Sequence, residues 1–149
     1  HVFVGMDINF IEKGKVKITM KKHLEKAIED FEEDVTMGAT TPATTNLFEV
    51  NENLNLLEPK KAELFHHIIG KLLFFARRAR INLQLPIAFL CTRVSKSTEE
   101  DWQKLRQVLK YTYTTINLPR IIGAENIGVL QTWVDAAISS PGHFKEVCS

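Results

Sequence analysis

The sequence predicts an α+β fold, mainly helical: an N-terminal β-hairpin, a helical region behind it and a short C-terminal strand. Three observations predict it. Apolar residues recur with a period of two at Val2, Val4, Met6, Ile8 and Phe10, and again at Val16, Ile18 and Met20, the pattern of half-buried strands. From Lys61 to Thr115 they recur instead at helical intervals. The run Val129-Leu130-Gln131-Thr132-Trp133-Val134-Asp135 is strand-like and is stopped by Pro141 and Gly142.

The two alternating rows are separated by Glu12, Lys13 and Gly14. A two-residue turn at Lys13-Gly14 pairs Ile11 with Val16 and sends the rows to opposite faces. A three-residue turn with Gly14 left-handed pairs Phe10 with Val16, Ile8 with Ile18 and Met6 with Met20, giving one apolar and one polar face. The second register is therefore expected, with Asp7 across from Thr19 and Asn9 across from Lys17 on the polar side. A helix follows, its stripe formed by Leu24, Ala27, Ile28 and Phe31, with Lys21, Lys22 and Lys26 off the stripe.

Between residues 13 and 26 lie lysines 13, 15, 17, 21, 22 and 26, against the single carboxylate Glu25. Two readings are open: a solvated face, or a surface that tracks phosphates by displacing condensed counterions. Gly5, which leaves backbone accessible on the hairpin, favours the second. Formal net charge is only +1, so the distribution matters more than the sum. Residues 29–63 are rich in Glu and Asp, and residues 71–110 are basic again through Arg77, Arg78, Arg80, Arg93 and others. That asymmetry suits a binder of an anionic polymer.

With 149 residues, 44% of them hydrophobic and 25% charged, the chain has the composition of a globular protein. No run is apolar enough to span a bilayer and no signal peptide is evident, so no membrane partner is expected and the expected location is intracellular. Cys91, in an apolar run, and Cys148 form no disulfide framework. The chain opens on His1 within a strand pattern, which predicts a piece of a longer protein.

Four regions follow. Residues 1–34 hold the hairpin and first helix. Residues 35–60 are polar and broken by Gly38 and Pro42, a long connection. Residues 61–116 are helical. The first helix there carries Leu64, Phe65, Ile68, Ile69, Leu72, Leu73 and Ala76 and ends in Arg77-Arg78-Ala79-Arg80, placed either for the helix dipole or for nucleic acid. Pro86 opens a second helix. Ser97 with Glu100 reads as a capping box for a third, striped by Trp102, Leu105, Val108, Leu109 and Thr112. Residues 117–149 begin with a loop containing Gly123 and continue into the final strand.

Chemistry is sparse. His66 and His67 are adjacent and point about 100° apart on a helix, unlike a chelating i, i+4 pair. No Cys-x-x-Cys, glycine-rich phosphate loop or nucleophile elbow occurs. Asp135 closes the apolar strand and would matter only if other carboxylates converged on it to hold magnesium; Glu125 and Glu146 have no suitable spacing.

The segments Phe3-Val4-Gly5-Met6-Asp7-Ile8 and Val16-Lys17-Ile18-Thr19-Met20-Lys21-Lys22-His23-Leu24-Glu25-Lys26 resemble the stretch just after the catalytic motif in reverse transcriptases of copia-type LTR retrotransposons. So do Thr41-Pro42, Gly70-Lys71-Leu72-Leu73-Phe74, Ala79-Arg80, Ser95-Lys96-Ser97-Thr98-Glu99-Glu100-Asp101-Trp102, Leu105, Val108, Leu109, Tyr111 and Trp133-Val134-Asp135-Ala136, in that order.

The resemblance implies an RNA-directed DNA polymerase and ribonuclease H as the parent enzyme, this chain alone being inactive. Residues 1–34 would be the primer grip and first thumb helix, 61–116 thumb and connection, and 117–149 the start of a truncated ribonuclease H domain. The partners would be a primer–template duplex, held by Gly5, Lys15, Lys17, Lys21, Lys22, Lys26, Arg77, Arg78 and Arg80, and the remainder of the polyprotein. Magnesium would serve the parent enzyme, with Asp135 its first ribonuclease H carboxylate. The polymerase aspartates would lie before His1, and the location would be a cytoplasmic particle or the nucleus.

Two departures stand out. Arg80-Ile81-Asn82-Leu83 replaces the Arg-Pro-Asp-Ile common in relatives, which predicts an altered turn. After Ala137 the pattern dissolves, as in a truncated, decayed or frame-shifted element. The reading from another class is a helical module that docks on a protein partner.

Overall fold

The computed structural model describes residues 1–51, 53–124 and 128. Strands β1 (Val2–Phe3), β2 (Met6–Glu12) and β3 (Lys15–Thr19) lead into helix α1 (Lys21–Glu29); α2 (Pro59–Arg78), α3 (Gln84–Arg93) and α4 (Glu99–Thr114) follow, then β4 (Arg120–Gly123). The fold is thus α+β, with the strands gathered in one antiparallel sheet of order β1-β2-β3-β4.

The expected register holds: Asp7 faces Thr19, Ile8 faces Ile18, Asn9 faces Lys17 and Phe10 faces Val16. It is reached differently, however. Glu12 pairs with Lys15, so the turn is the two residues Lys13-Gly14, and the extra residue sits within β2 as a bulge between Phe10 and Glu12. A bulge at Ile11 restores the one-residue offset that a longer turn would have supplied. Gly14 is left-handed as expected, with φ 82°.

Two differences concern the strands. The row from Val2 to Phe10 is not one strand but two, folded at Val4-Gly5, where φ is 50° and 77°, so that Phe3 pairs with Met6. Alternation runs straight through that turn, so the pattern conceals it. Residues 120–123, expected as loop, form β4 against β3, with Ile18 facing Arg120 and Val16 facing Ile122. The strand expected at 129–135 lies outside the described residues.

One apolar cluster joins the sheet to every helix: Ile18 and Met20 from the β3 end, Leu24 and Ala27 from α1, Phe65, Leu72 and Phe75 from α2, Leu83, Ile87 and Leu90 around α3, Leu105 and Leu109 from α4. Pro59 starts α2 at the position where a missing N–H costs nothing. Residues 35–51 and 53–58 lack regular helix or strand but lie along α4. Val35, Leu47 and Leu57 are buried, Lys104 Nζ donates to the Glu49 carbonyl and Gln107 Nε2 to that of Thr41. Thr36 donates both its N–H and its hydroxyl to Asp34, holding that carboxyl below its ordinary pKa.

The α4 cap falls one residue later than expected. Asp101, not Glu100, accepts from the Thr98 N–H at 3.0 Å and from the Thr98 hydroxyl at 3.1 Å. Backbone pairing decides this: the Ser97 carbonyl accepts from Leu57 N–H and Thr98 bridges Leu56, so Ser97 belongs to the extended connection. Arg93 also reaches Asp101, with Nε 3.3 Å from each carboxylate oxygen, so the cap is a buried charge cluster.

Candidate nucleic-acid interface

Strand alternation puts Lys15, Lys17 and Thr19 on the face of β3 opposite the core residues Ile18 and Met20. Lys17 lies between Asn9 on β2 and Ile121 on β4. On α1, Lys22 and Lys26 are an i, i+4 pair on the side away from Leu24 and Ala27, both of which are buried. Lysines two apart on a strand stand about 7 Å apart, and an i, i+4 pair about 6 Å, spacings that can follow a repeating anion.

Not all of the lysines are free to do so. Lys15 Nζ contacts Glu12 at 2.6 Å, and Lys21 lies 3.8 Å from Glu25. Among the described residues Lys13, Lys17, Lys22 and Lys26 meet no carboxylate, whereas Lys61 pairs with Glu99 and Lys71 with Asp30. The cluster therefore presents uncompensated charge on adjacent elements. Gly5 forms the β1–β2 turn, and a Cβ placed there would approach the Met20 side chain at 3.7 Å.

The arginines divide three ways. Arg77 is exposed. Arg78 lies over the Phe74 ring, 3.7 Å from its centroid, and Nη1 donates to the Phe74 carbonyl. Arg80 is only 2% exposed: Nε donates to Asn82 Oδ1, Nη1 to the Thr115 carbonyl at 2.8 Å and Nη2 to the Thr115 hydroxyl at 2.6 Å. Burial lowers its pKa from the ordinary value, and Tyr111 opposes that shift. Arg80 is thus drawn inside and does not share a surface with the lysines. The chain after it makes a single 3-10 turn, Ile81–Leu83, in which Asn82 also donates to the Tyr111 hydroxyl.

Arg120 was not singled out from sequence. Its Nη1 donates to the Arg77 and Arg78 carbonyls at 3.3 and 2.9 Å, capping α2 and tying the sheet to the helices. The signal available was the pair Ile121-Ile122 between Pro119 and Gly123. Since Arg120 faces Ile18 across the ladder, it sits on the core side of the sheet. The C-terminal end of α2 is therefore on the opposite side from Lys17.

Asp135 lies outside the described residues. Among the described residues no group of three His, Cys, Asp or Glu side chains is placed to hold a metal ion. Burial raises the Cys91 thiol pKa, with Arg77 opposing. Among the described residues no helix is long and apolar enough to cross a membrane.

No protein-family model matches the chain, and no solved structure matches it. Over 116 residues it is 26% identical to the "Putative transposon Ty5-1 protein" of Saccharomyces cerevisiae, a match covering 76% of this chain and 36% of that protein. The chain thus spans about a third of the length of the curated relative it matches. The likeness supports a retrotransposon origin.

Proposed function

We propose that this chain is the primer–template-holding segment of a copia-type retrotransposon reverse transcriptase, its polymerase active site lying in another part of the polyprotein. The hairpin acts as primer grip and α1–α4 as thumb and connection. The lysines contact the sugar–phosphate backbone of an RNA/DNA duplex and do not read its sequence. In this reading magnesium serves the parent enzyme, and Asp135 is the first carboxylate of a ribonuclease H domain.

The observation that carries the proposal is the uncompensated charge of Lys17, Lys22 and Lys26 on β3 and the helix that follows it directly. The transposon likeness supports the same reading. The test is binding of a fluorescent RNA–DNA hybrid across a salt series. Affinity should fall steeply with salt, and Lys17→Glu, Lys22→Glu and Lys26→Glu should each weaken binding to all sequences alike. Each should also flatten the log–log salt slope by about one. Affinity that ignores salt, or survives all three substitutions together, would overturn it.

A further inference from the structure

We infer that the core-side face of the sheet, where it emerges from beneath the helices, binds unpaired nucleotides by stacking their bases, a second surface distinct from the lysine face. Ile18 and Met20 are covered, but the next cross-strand row is not. Phe10, Val16 and Ile122 face one another across β2, β3 and β4. Phe10 is 71% exposed and Ile122 45%, while Val16 between them is half-buried. Strands about 4.8 Å apart make this row about 10 Å wide, a flat apolar strip on the scale of a nucleobase. The His1 ring packs T-shaped against Phe10 with centroids 6.1 Å apart, and Phe10 keeps its exposure with that contact in place.

Charge selects the occupant. The row adjacent to the strip ends in Arg120, which holds the last carbonyls of α2, and exposed Arg77 stands at that same helix end. Among the described residues neither arginine has a carboxylate partner. An apolar partner protein would leave Arg77 and the Arg120 N–H groups not given to α2 without an anion, whereas a single-stranded nucleic acid supplies faces for the strip and phosphates for those groups. Aromatic groups on a sheet surface bind unpaired bases in this manner, tolerant of sequence. A duplex keeps its bases stacked on one another and cannot use the strip.

The inference extends the reading proposed above to a second ligand, and its test separates the two. Binding of a fluorescent oligothymidylate, about 15 nucleotides long, and of the RNA–DNA hybrid is measured for the intact chain and for Phe10→Ala, Phe10→Trp and Lys17→Glu. Phe10→Ala should weaken oligothymidylate about tenfold with an unchanged salt slope, and should leave the hybrid unaffected. Phe10→Trp should retain affinity and show indole quenching on binding. Arg77→Ala should flatten the salt slope for the single strand only. Circular dichroism melts of each variant confirm that the fold persists. Equal affinity of Phe10→Ala and the intact chain for oligothymidylate overturns the inference while leaving the hybrid result standing. A Phe10-dependent dimer in sedimentation, with no oligothymidylate binding, overturns it in favour of self-association.

Discussion

Arg80 is enclosed where its sequence context, Arg77-Arg78-Ala79-Arg80, reads as a string of surface cations. Its guanidinium spans from Asn82 on the 3-10 turn to the Thr115 carbonyl and hydroxyl at the end of α4, and it stands 5.7 Å from the centroid of the Tyr111 ring. A buried cation is tolerable only when its donors are satisfied, and the planar fork of arginine meets these acceptors at once. Arg80→Ala would remove the charged hydrogen bonds that link the connection after α2 to the end of α4, costing about 2–3 kcal/mol, while the Thr115 carbonyl keeps the Leu118 N–H. Arg80→Lys should recover only part of that, since an ammonium cannot span the same acceptors. Urea denaturation of the two variants checks this; equal stability of Arg80→Ala and the parent would show that the guanidinium contributes nothing net.

Trp102 has a comparable linking role through its ring. It stacks on Phe31 with centroids 4.8 Å apart, donates Nε1–H to Glu33 at 2.6 Å and receives the Lys61 ammonium over its face at 4.7 Å. Helical spacing identifies Trp102 as a core residue. Nothing in that spacing indicates that an acid beyond α1 would satisfy its N–H, because the partner lies 69 residues away in sequence.

Among the elements, the hairpin shows where pattern suffices and where it fails. Its register is legible because only one pairing puts the row Met6, Ile8 and Phe10 on the same side as Ile18 and Met20, and burial enforces that choice. The β1–β2 turn is not legible because Val4 occupies a left-handed conformation with φ 50°, which a β-branched residue rarely adopts. Val4→Asn, giving the Asn-Gly pair preferred in such turns, should relieve about 1 kcal/mol of strain and raise the melting temperature by about 2–4 °C. A thermal melt decides it, and an unchanged or lower midpoint would show that Val4 packs usefully despite its exposure. β4 is hidden for another reason. Four residues carry too little periodicity to announce a strand, and only pairing with β3 makes one. The α4 cap was legible to within one residue, since Ser97 and Thr98 are both competent caps. The pairing of Ser97 with Leu57, distant in sequence, decided between them.

In the molecule as a whole, burial and uncompensated charge occupy different places. The apolar cluster runs from Ile18 through all four helices, and the sheet reaches past it, leaving Phe10 and Ile122 outside. Lys15 and Lys17 on β3 and the C-terminal end of α2 then fall on opposite sides of that sheet, a separation that cross-strand register fixes and linear sequence does not display. Two phenylalanines measure the division. Phe75 is fully buried in α2, and Phe75→Ala should cost about 3–5 kcal/mol by leaving a cavity. Phe10→Ala removes one cross-strand contact and should cost under about 1 kcal/mol. Urea unfolding followed by circular dichroism gives both values. If Phe10→Ala proved as costly as Phe75→Ala, the tip of the sheet would be part of the packed body and not a free surface. The contrast expected, a large loss for one ring and a small one for the other, is what allows ligand-binding variants on the sheet to be read without a correction for unfolding.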